Sequence, residues 1–382
     1  MRVGVLGVGR AGGAIADTLV ALADESRVDP VTEAVVVDTD DDDLAAASAV
    51  AAEHRHLVGQ VETGGHGTAG DQEAAVAVAR DAQAELRAAL DALPVSRTDA
   101  FLVVAGLSGG TGGGLGPCLA ELLAEVVEQP IYAVGVLPSD AEDEGGDHAA
   151  RAMRALRAFR EPAADVLLVD LDRWRGSDAD VETAYDALDR DVAEALWALA
   201  AASETSGGAP TPERTLDTSE IINTLRGDGV ATLARARNTL PTSDEDGGLV
   251  DSVRGLFGDS TPDVDEVAVT RLATTTTREA IHSKTFLGDG VADAGRAAVV
   301  VDAPGAYLLR EGIEEATGIV EDATDSVAVR AGDRPRPRTD DLGVTVLAAG
   351  LTDVPRLDEL ERRTREYLGE APDDHGDDLT VE

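Results

Sequence analysis

Two glycine-rich segments carry the residues whose types and spacing point most directly to chemistry. Ala105–Gly114 reads AGLSGGTGGG, with glycine at Gly106, Gly109, Gly110, Gly112, Gly113 and Gly114 and hydroxyls at Ser108 and Thr111. Each ordered glycine costs roughly 0.5–1 kcal/mol of conformational entropy, so a turn that merely joins a strand to a helix does not need so many. A nest of successive backbone N–H groups around an anion does need them. No lysine follows the glycines, so the segment is not a Walker loop. The other segment, Gly7-Val8-Gly9-Arg10-Ala11-Gly12-Gly13, follows an apolar run and opens a helical pattern at Ala14. Backbone can approach a phosphate closely there, and the helix start supplies free N–H groups and a positive dipole end. Gly7, Gly9 and Gly12 also fit a dinucleotide fingerprint, with Asp38 in the place of a ribose-binding acid. Two phosphate cradles on one sheet suit a nucleotide di- or triphosphate. A nicotinamide-dependent oxidoreductase, the competing use of Gly7–Gly12 and Asp38, leaves the Gly106–Gly114 loop unexplained.

Elements of a particular kind must position these loops. Short, continuously apolar runs at Arg2–Gly7, Ala34–Asp38, Ala100–Gly106, Ile131–Leu137 and Asp165–Asp170 read as strands. Helical patterns lie between them at Ala14–Ala23, Asp71–Ala92, Leu115–Glu128 and Asp147–Arg160. That alternation predicts an α/β fold with a parallel sheet covered on both faces. A long helix is expected over Asp180–Ser203, a linker at Ser206–Pro212 and an acidic surface loop at Pro241–Glu266. Beyond these, Val267–Leu272, Ala297–Asp302, Val327–Arg330 and Leu342–Ala349 read as strands, with helices near Gly305–Thr317 and Leu357–Tyr367, forming a second, smaller α/β layer.

Composition narrows the partners. The chain of 382 residues has 32 basic and 74 acidic side chains and a formal charge of −42. Nucleic acid and anionic membrane surfaces would be repelled, so neither is expected as a partner. Lys284 is the only lysine, and an acidic, arginine-for-lysine surface of this kind suits molar salt, where screening shortens to about 3 Å. Hydrophobic residues make up 43%, enough for a packed core. Cys118 stands alone on an apolar helix pattern, which predicts a buried structural thiol and no disulfide or zinc cluster. No uncharged apolar run reaches the roughly 18 residues of a membrane span, and the N-terminal residues read as a strand and not a signal peptide, so a cytoplasmic protein is expected.

Gly106–Gly114 resembles the signature loop of the tubulin/FtsZ superfamily, and Gly7–Gly13 is similar to the first loop of its archaeal CetZ branch. The order of elements agrees over nearly the whole chain. The resemblance implies a Rossmann-like parallel-sheet GTPase domain over 1–180 and a central helix over 181–205. It implies a linker, catalytic loop, helix and acidic loop over 206–266, a smaller α/β C-terminal activation domain over 267–369, and an acidic, disordered tail over 370–382. GTP or GDP, with Mg2+, is the implied ligand. Gly9, Arg10, Ala11, Gly12, Gly13 and Ala14 would meet the α- and β-phosphates. Asp38 and Asp40 end the second strand, with Asp38 in place of the family's Asn. Gly67, Thr68 and Ala69 would lie near the γ-phosphate, and Gly106, Ser108, Gly109, Gly110, Thr111 and Gly112 over the phosphates. Glu144 corresponds to the ribose-binding glutamate.

The two asparagines that read guanine in the family fall on Leu171 and Asp189. An aspartate can accept from both guanine donors, so Asp189 can substitute, with Tyr185 one turn earlier stacking on the base. Asp170 or Asp172 then stands in for Leu171, or base selectivity relaxes. Thr215–Ile221 resembles the catalytic loop that reaches into the neighbour's nucleotide pocket, with Asp217 and Glu220 as the water-orienting carboxylates. The same spacing spells a helix capping box. Thr215 replaces the family's Asn, and Glu220 its Asp. The implied partner is a second copy of the chain, stacked head to tail in a filament serving cell shape or division through membrane or midcell adaptors. The alternative is a regulator that binds nucleotide without polymerising or hydrolysing it.

Overall fold

The computed structural model describes residues 1–25, 28–143, 145–174, 181–204, 214–227, 229–240, 264–286, 294–324, 326, 329–337 and 339–369. The linker at 206–212, residues 241–263 of the acidic loop, Glu144 and the tail at 370–382 lie outside the described residues.

Runs of Val, Ala and Leu form the strands of the first half: β1 (Val3–Val8), β2 (Val31–Asp38), β3 (Arg55–Leu57), β4 (Ala100–Gly106), β5 (Ile131–Leu137) and β6 (Asp165–Asp170). All residues of β1, β5 and β6 are buried, as expected of strands covered on both faces. The covering helices are α1 (Gly9–Glu25), α2 (Asp41–Ala46), α3 (Gln60–Thr63), α4 (Gln72–Asp81), α5 (Gln83–Leu90), α6 (Gly110–Ala124), α7 (Asp147–Phe159) and α8 (Leu171–Trp174). The second half contributes α9 (Val181–Ala201), α10 (Thr218–Thr224), β7 (Val230–Thr239), α11 (Glu266–Lys284), β8 (Arg296–Ala303), α12 (Arg310–Thr324), β9 (Val329–Pro335), β10 (Asp341–Leu351) and α13 (Pro355–Leu368).

The strands form one ten-stranded sheet in the order β3-β2-β1-β4-β5-β6-β7-β10-β8-β9. The chain leaves β1 towards β2 and β3, then returns to place β4 on the other side of β1. That reversal is a topological switch point, where open α/β sheets hold ligands beyond the carboxyl ends of their strands. The expected smaller layer is joined edge to edge with the first: β7 continues parallel to β6 through Leu167↔Ala231 and Leu168↔Thr232. β10 then runs antiparallel to β7 and β8, and β9 is parallel to β8.

Several elements differ from the sequence reading: β3 and β7 fall where no strand was expected, and the helix expected over Asp71–Ala92 is two, α4 and α5. Val267–Leu272, expected as a strand, opens α11, where Asp265 caps the helix by accepting from Val267 N and Ala268 N. The Gly110–Gly114 stretch, read as loop, is already helical in α6. The helix near Gly305–Thr317 is a 3-10 turn (Gly305–Tyr307) followed by α12, which runs on to Thr324. Cys118 is half-buried, with its Sγ 3.5 Å from Gly114 O, and burial pushes its thiol up. A thiol held protonated in this way is a poor nucleophile.

Candidate functional site

A cleft of about 480 Å³ opens over the switch point. Its floor is where the two glycine turns meet. Gly9 has φ +69°, a left-handed conformation suited to glycine, and a Cβ there would come 2.9 Å from Gly112 N. α6 begins at Gly110 behind Gly109, and no side chain caps its first N–H groups. A Cβ on Gly110 would lie 2.0 Å from Thr68 Oγ1, a buried oxygen that itself has no hydrogen-bond partner. Two helix starts, α1 and α6, therefore meet at one cleft, and that of α6 presents N–H donors without a side-chain cap.

Most of the residues singled out in the sequence line this cleft. Gly9, Arg10 and Ala11 come from the β1–α1 turn, and Asp38 and Asp40 from the end of β2. Gly67, Thr68 and Ala69 come from the turn before α4, and Gly106, Ser108, Gly109, Gly110, Thr111 and Gly112 from the β4–α6 junction. Ala69 adopts φ +50°, the one non-glycine residue with positive φ among the described residues, so this wall holds local backbone strain. Gly12, Gly13 and Ala14 do not line the cleft. Gly12 instead lets α1 sit against β4: a Cβ would lie 2.1 Å from Val104 O.

The acidic wall is largely self-satisfied. Asp38 accepts from Thr39 N (2.7 Å) and Asp40 N (3.2 Å), and burial pushes its carboxyl up to about 7. Asp40 caps α2 through Asp42 N and Asp43 N, and burial raises Asp43 as well. Among the described residues no group of three or more His, Cys, Asp or Glu side chains could hold a metal alone. Asp38, Asp40 and Asp43 nonetheless line the cleft, and one or two such carboxylates beside phosphate oxygens are the donor set that Mg2+ takes.

At the other end, Tyr185 of α9 lines the cleft and packs under Arg10, whose guanidinium lies 4.9 Å from the ring centroid. The Tyr185 hydroxyl donates to Glu142 Oε2 at 2.7 Å. Asp189 does not line the cleft. It is buried one turn along α9, its Oδ1 without a partner, and burial pushes it up to about 7 against the pull of Arg10. Leu171 is fully buried in the core, and Asp170 and Asp172 turn towards Arg356 at 3.2 and 3.5 Å.

Sequence reasoning missed Asp43, His66, Glu142, His148 and Arg151, all of which line the cleft, as does Gly70 of the Gly67–Asp71 loop, while Thr39 of the Asp38–Asp40 segment is fully buried beside it. His148 and Arg151 stand at i and i+3 at the start of α7, a helix the sequence already placed after β5, and that shared face at the carboxyl ends of the strands is the signal that could have singled them out. Glu142 could not be separated by sequence from its acidic neighbours.

Asp217 and Glu220 lie at the opposite pole. Ser203 Oγ accepts from the Met1 ammonium and lies 3.4 Å from Thr218 Oγ1, which puts the start of α10 beside the amino end of β1. The capping box is formed: Asp217 is the N-cap of α10, and its N–H donates to Glu220 Oε2 at 3.0 Å. Glu220 Oε1 also faces Arg330 Nε at 3.6 Å. Among the described residues no helix is long and apolar enough to cross a membrane.

Comparison with known proteins agrees with this architecture. Residues 2–177 match the family model "Tubulin/FtsZ family, GTPase domain", and residues 178–366 match "Tubulin-like CetZ, C-terminal domain". The tubulin-like proteins CetZ5 and CetZ1 of Haloferax volcanii are 37% and 35% identical to the chain. These matches cover 94% and 95% of the chain and 90% and 91% of the relatives. Among solved structures, the GDP-bound monomer of CetZ1 superposes with a TM-score of 0.78 at 31% identity, covering 96% of this chain and all (100%) of that one. The GTPγS-bound protofilament of CetZ2 from the same organism gives 0.79 at 33% identity, covering 97% and 99%. With a two-turn cleft at the switch point and relatives matched over nearly their full length, the chain belongs to the tubulin/FtsZ family, in its tubulin-like CetZ branch.

Proposed function

We propose that the chain binds a guanine nucleotide in the cleft, hydrolyses GTP in a site completed by a second copy, and builds cytoplasmic filaments that act in cell shape. The observation that carries this reading is polar: the glycine turns and two helix starts open at the carboxyl ends of the strands, and the Asp217–Glu220 turn sits at their amino ends. Head-to-tail stacking brings one subunit's turn to the next subunit's cleft, and a heterologous contact of this kind propagates. The GDP-bound and GTPγS-bound states of the CetZ relatives support the choice of ligand, and the CetZ2 protofilament supports the stacking.

In this reading the backbone N–H groups at Gly9–Ala11 and Gly110–Gly112 hold the phosphates, with Arg10 and Arg151 adding charge. Asp38 and Asp40 would hold a magnesium ion together with the phosphates, and the chemistry it supplies is charge neutralisation on the transferred phosphoryl group. Asp217 and Glu220 orient the attacking water across the subunit contact. Tyr185 and Glu142 meet the base and sugar, and Asp189 sits behind Tyr185. The domain limits follow the same reading: a nucleotide-binding half to residue 180, the central helix to 205, and an activation domain from 267 to 369.

A second reading has its own observation. Glu220 is engaged by both Asp217 N and Arg330, which suits a subunit that binds nucleotide without turning it over. Turnover of GTP, ATP and NAD binding in molar KCl, followed by pelleting, separates the two. GTP turnover that rises with protein concentration and is lost in Asp217→Ala supports the shared site. Binding without turnover at any concentration supports the second reading, and tight NAD binding without GTP binding overturns both.

A further inference from the structure

We propose that Arg356, at the start of the C-terminal helix α13, is a positioning residue for the nucleotide cleft: it fixes the turn after β5 and, through it, Glu142 and Tyr185. The inference rests on the nucleotide reading and adds to it a control point outside the cleft.

Arg356 is nearly buried, with its side chain 9% exposed, and its guanidinium is shared among four oxygens. Nη1 donates to Asp140 Oδ1 at 2.6 Å and Nη2 to Pro138 O at 2.9 Å. Nε lies 3.2 Å from Asp170 Oδ2, and Nη2 3.5 Å from Asp172 Oδ2. A planar fork with five donors can tie the end of β5, the turn beyond it and the end of β6 in one plane, which an ammonium cannot do. Arg363, on the same face of α13, adds Asp140 at 3.1 Å and Asp143 at 3.5 Å.

The clamped turn leads into the cleft. Asp172 accepts from Ser139 Oγ and Asp140 N, both at 2.6 Å. Ser139 and Glu142 close a capping box over the 3-10 turn Asp140–Glu142. Glu142 then accepts from Tyr185, whose ring carries Arg10 of the first glycine turn. A continuous chain of polar contacts thus joins a helix that does not line the cleft to the residues that do. Without Arg356, Asp140 keeps Arg363 and Asp170 keeps Arg173 at 3.7 Å, but the one fork that ties both to Pro138 O and Asp172 is gone, so the turn opens and Glu142 withdraws.

The test measures GDP affinity of the full chain in molar KCl, with circular dichroism as the check on folding. Arg356→Gln should weaken binding about 10- to 100-fold, the scale on which small misplacements act. Arg356→Lys, which keeps the charge but not the fork, should recover part of the loss. Asp140→Asn, at a side chain 46% exposed, should fold normally and weaken binding by a smaller factor, about 3- to 10-fold. Arg362→Gln removes a guanidinium that bonds Glu359 and Glu366 of its own helix, and should bind as the parent does. If Arg356→Gln does not fold, Asp140→Asn decides the matter. Parent-like affinity in Asp140→Asn and in any folded Arg356→Gln overturns the proposal, as does an equal loss in Arg362→Gln, which would mark a general weakening of α13. A parent chain that binds no guanine nucleotide overturns the nucleotide reading itself, before any variant is compared.

Discussion

Thr39 and Thr111, 72 positions apart, meet hydroxyl to hydroxyl at 2.7 Å in the interior beside the cleft. The bond ties the end of β2 to the first turn of α6, two segments that approach the cleft from opposite sides of β1. Replacing one partner leaves the other buried and unsatisfied, at a cost of about 1–3 kcal/mol. Thr111→Val should therefore lower the urea-unfolding free energy by that amount. Thr39→Val with Thr111→Val should cost less than the sum of the single changes, and additive losses would show that the two hydroxyls are not coupled.

Two glycines in helices should respond in opposite directions to alanine. Gly318, in α12, has nothing within 4 Å of an added Cβ. Gly318→Ala should stabilise the chain by about 0.5–1 kcal/mol through helix propensity alone. Gly110→Ala drives a methyl into Thr68, so it should cost about 1–3 kcal/mol and abolish tight nucleotide binding. Thermal melts and nucleotide titration of the pair check both signs.

Asp165 gives a pH dependence of defined sign. Burial lifts its carboxyl from 3.8 to about 7, so the folded chain keeps a proton that the unfolded chain has released. Stability from this group is complete below about pH 4 and is lost as pH rises towards 7. Asparagine is neutral throughout and can still accept from Val166 N. Asp165→Asn should match the parent near pH 4 and exceed it by about 1–3 kcal/mol at pH 8. Urea titrations at the two pH values decide, and an unchanged difference between them counts against a buried protonated acid.

The formal charge of −42 sets the assay conditions. Screening falls from about 10 Å at 0.1 M salt to 3 Å at 1 M, so subunits this acidic should associate only in concentrated salt. Light scattering with GTP should rise in molar KCl and vanish at 0.1 M. Equal assembly at both would mean that the contact surfaces are not acidic.

How much of this was legible in the sequence depended on whether local chemistry and tertiary context agreed. The strands Ala100–Gly106, Ile131–Leu137 and Asp165–Asp170 were read with the bounds they have, because a buried parallel strand is apolar along its length. Val267–Leu272 misled because β-branched residues suit strands. Its helical state follows from the Asp265 cap and packing, with Thr276 and Thr277 returning their hydroxyls to Leu272 O and Ala273 O. β7 was missed because Arg235, an interior arginine paired with Asp302 in two bonds, breaks the apolar pattern. In the site, the glycine turns were legible since backbone needs dictate residue type. Glu142 and Arg151 were not, because charged residues in a loop or helix start look alike until the fold chooses which of them face inward.

The joint between β6 and β7 has a mechanical consequence. Six residue pairs join β5 to β6, and ten join β7 to β10, but only two join β6 to β7. A plate stitched so unevenly creases at its sparsest seam. Bending there strains few hydrogen bonds while leaving the cleft on one side and the antiparallel strands on the other intact. In the proposed head-to-tail row, a load would be taken up inside each subunit at Leu167 and Leu168, as a change of curvature.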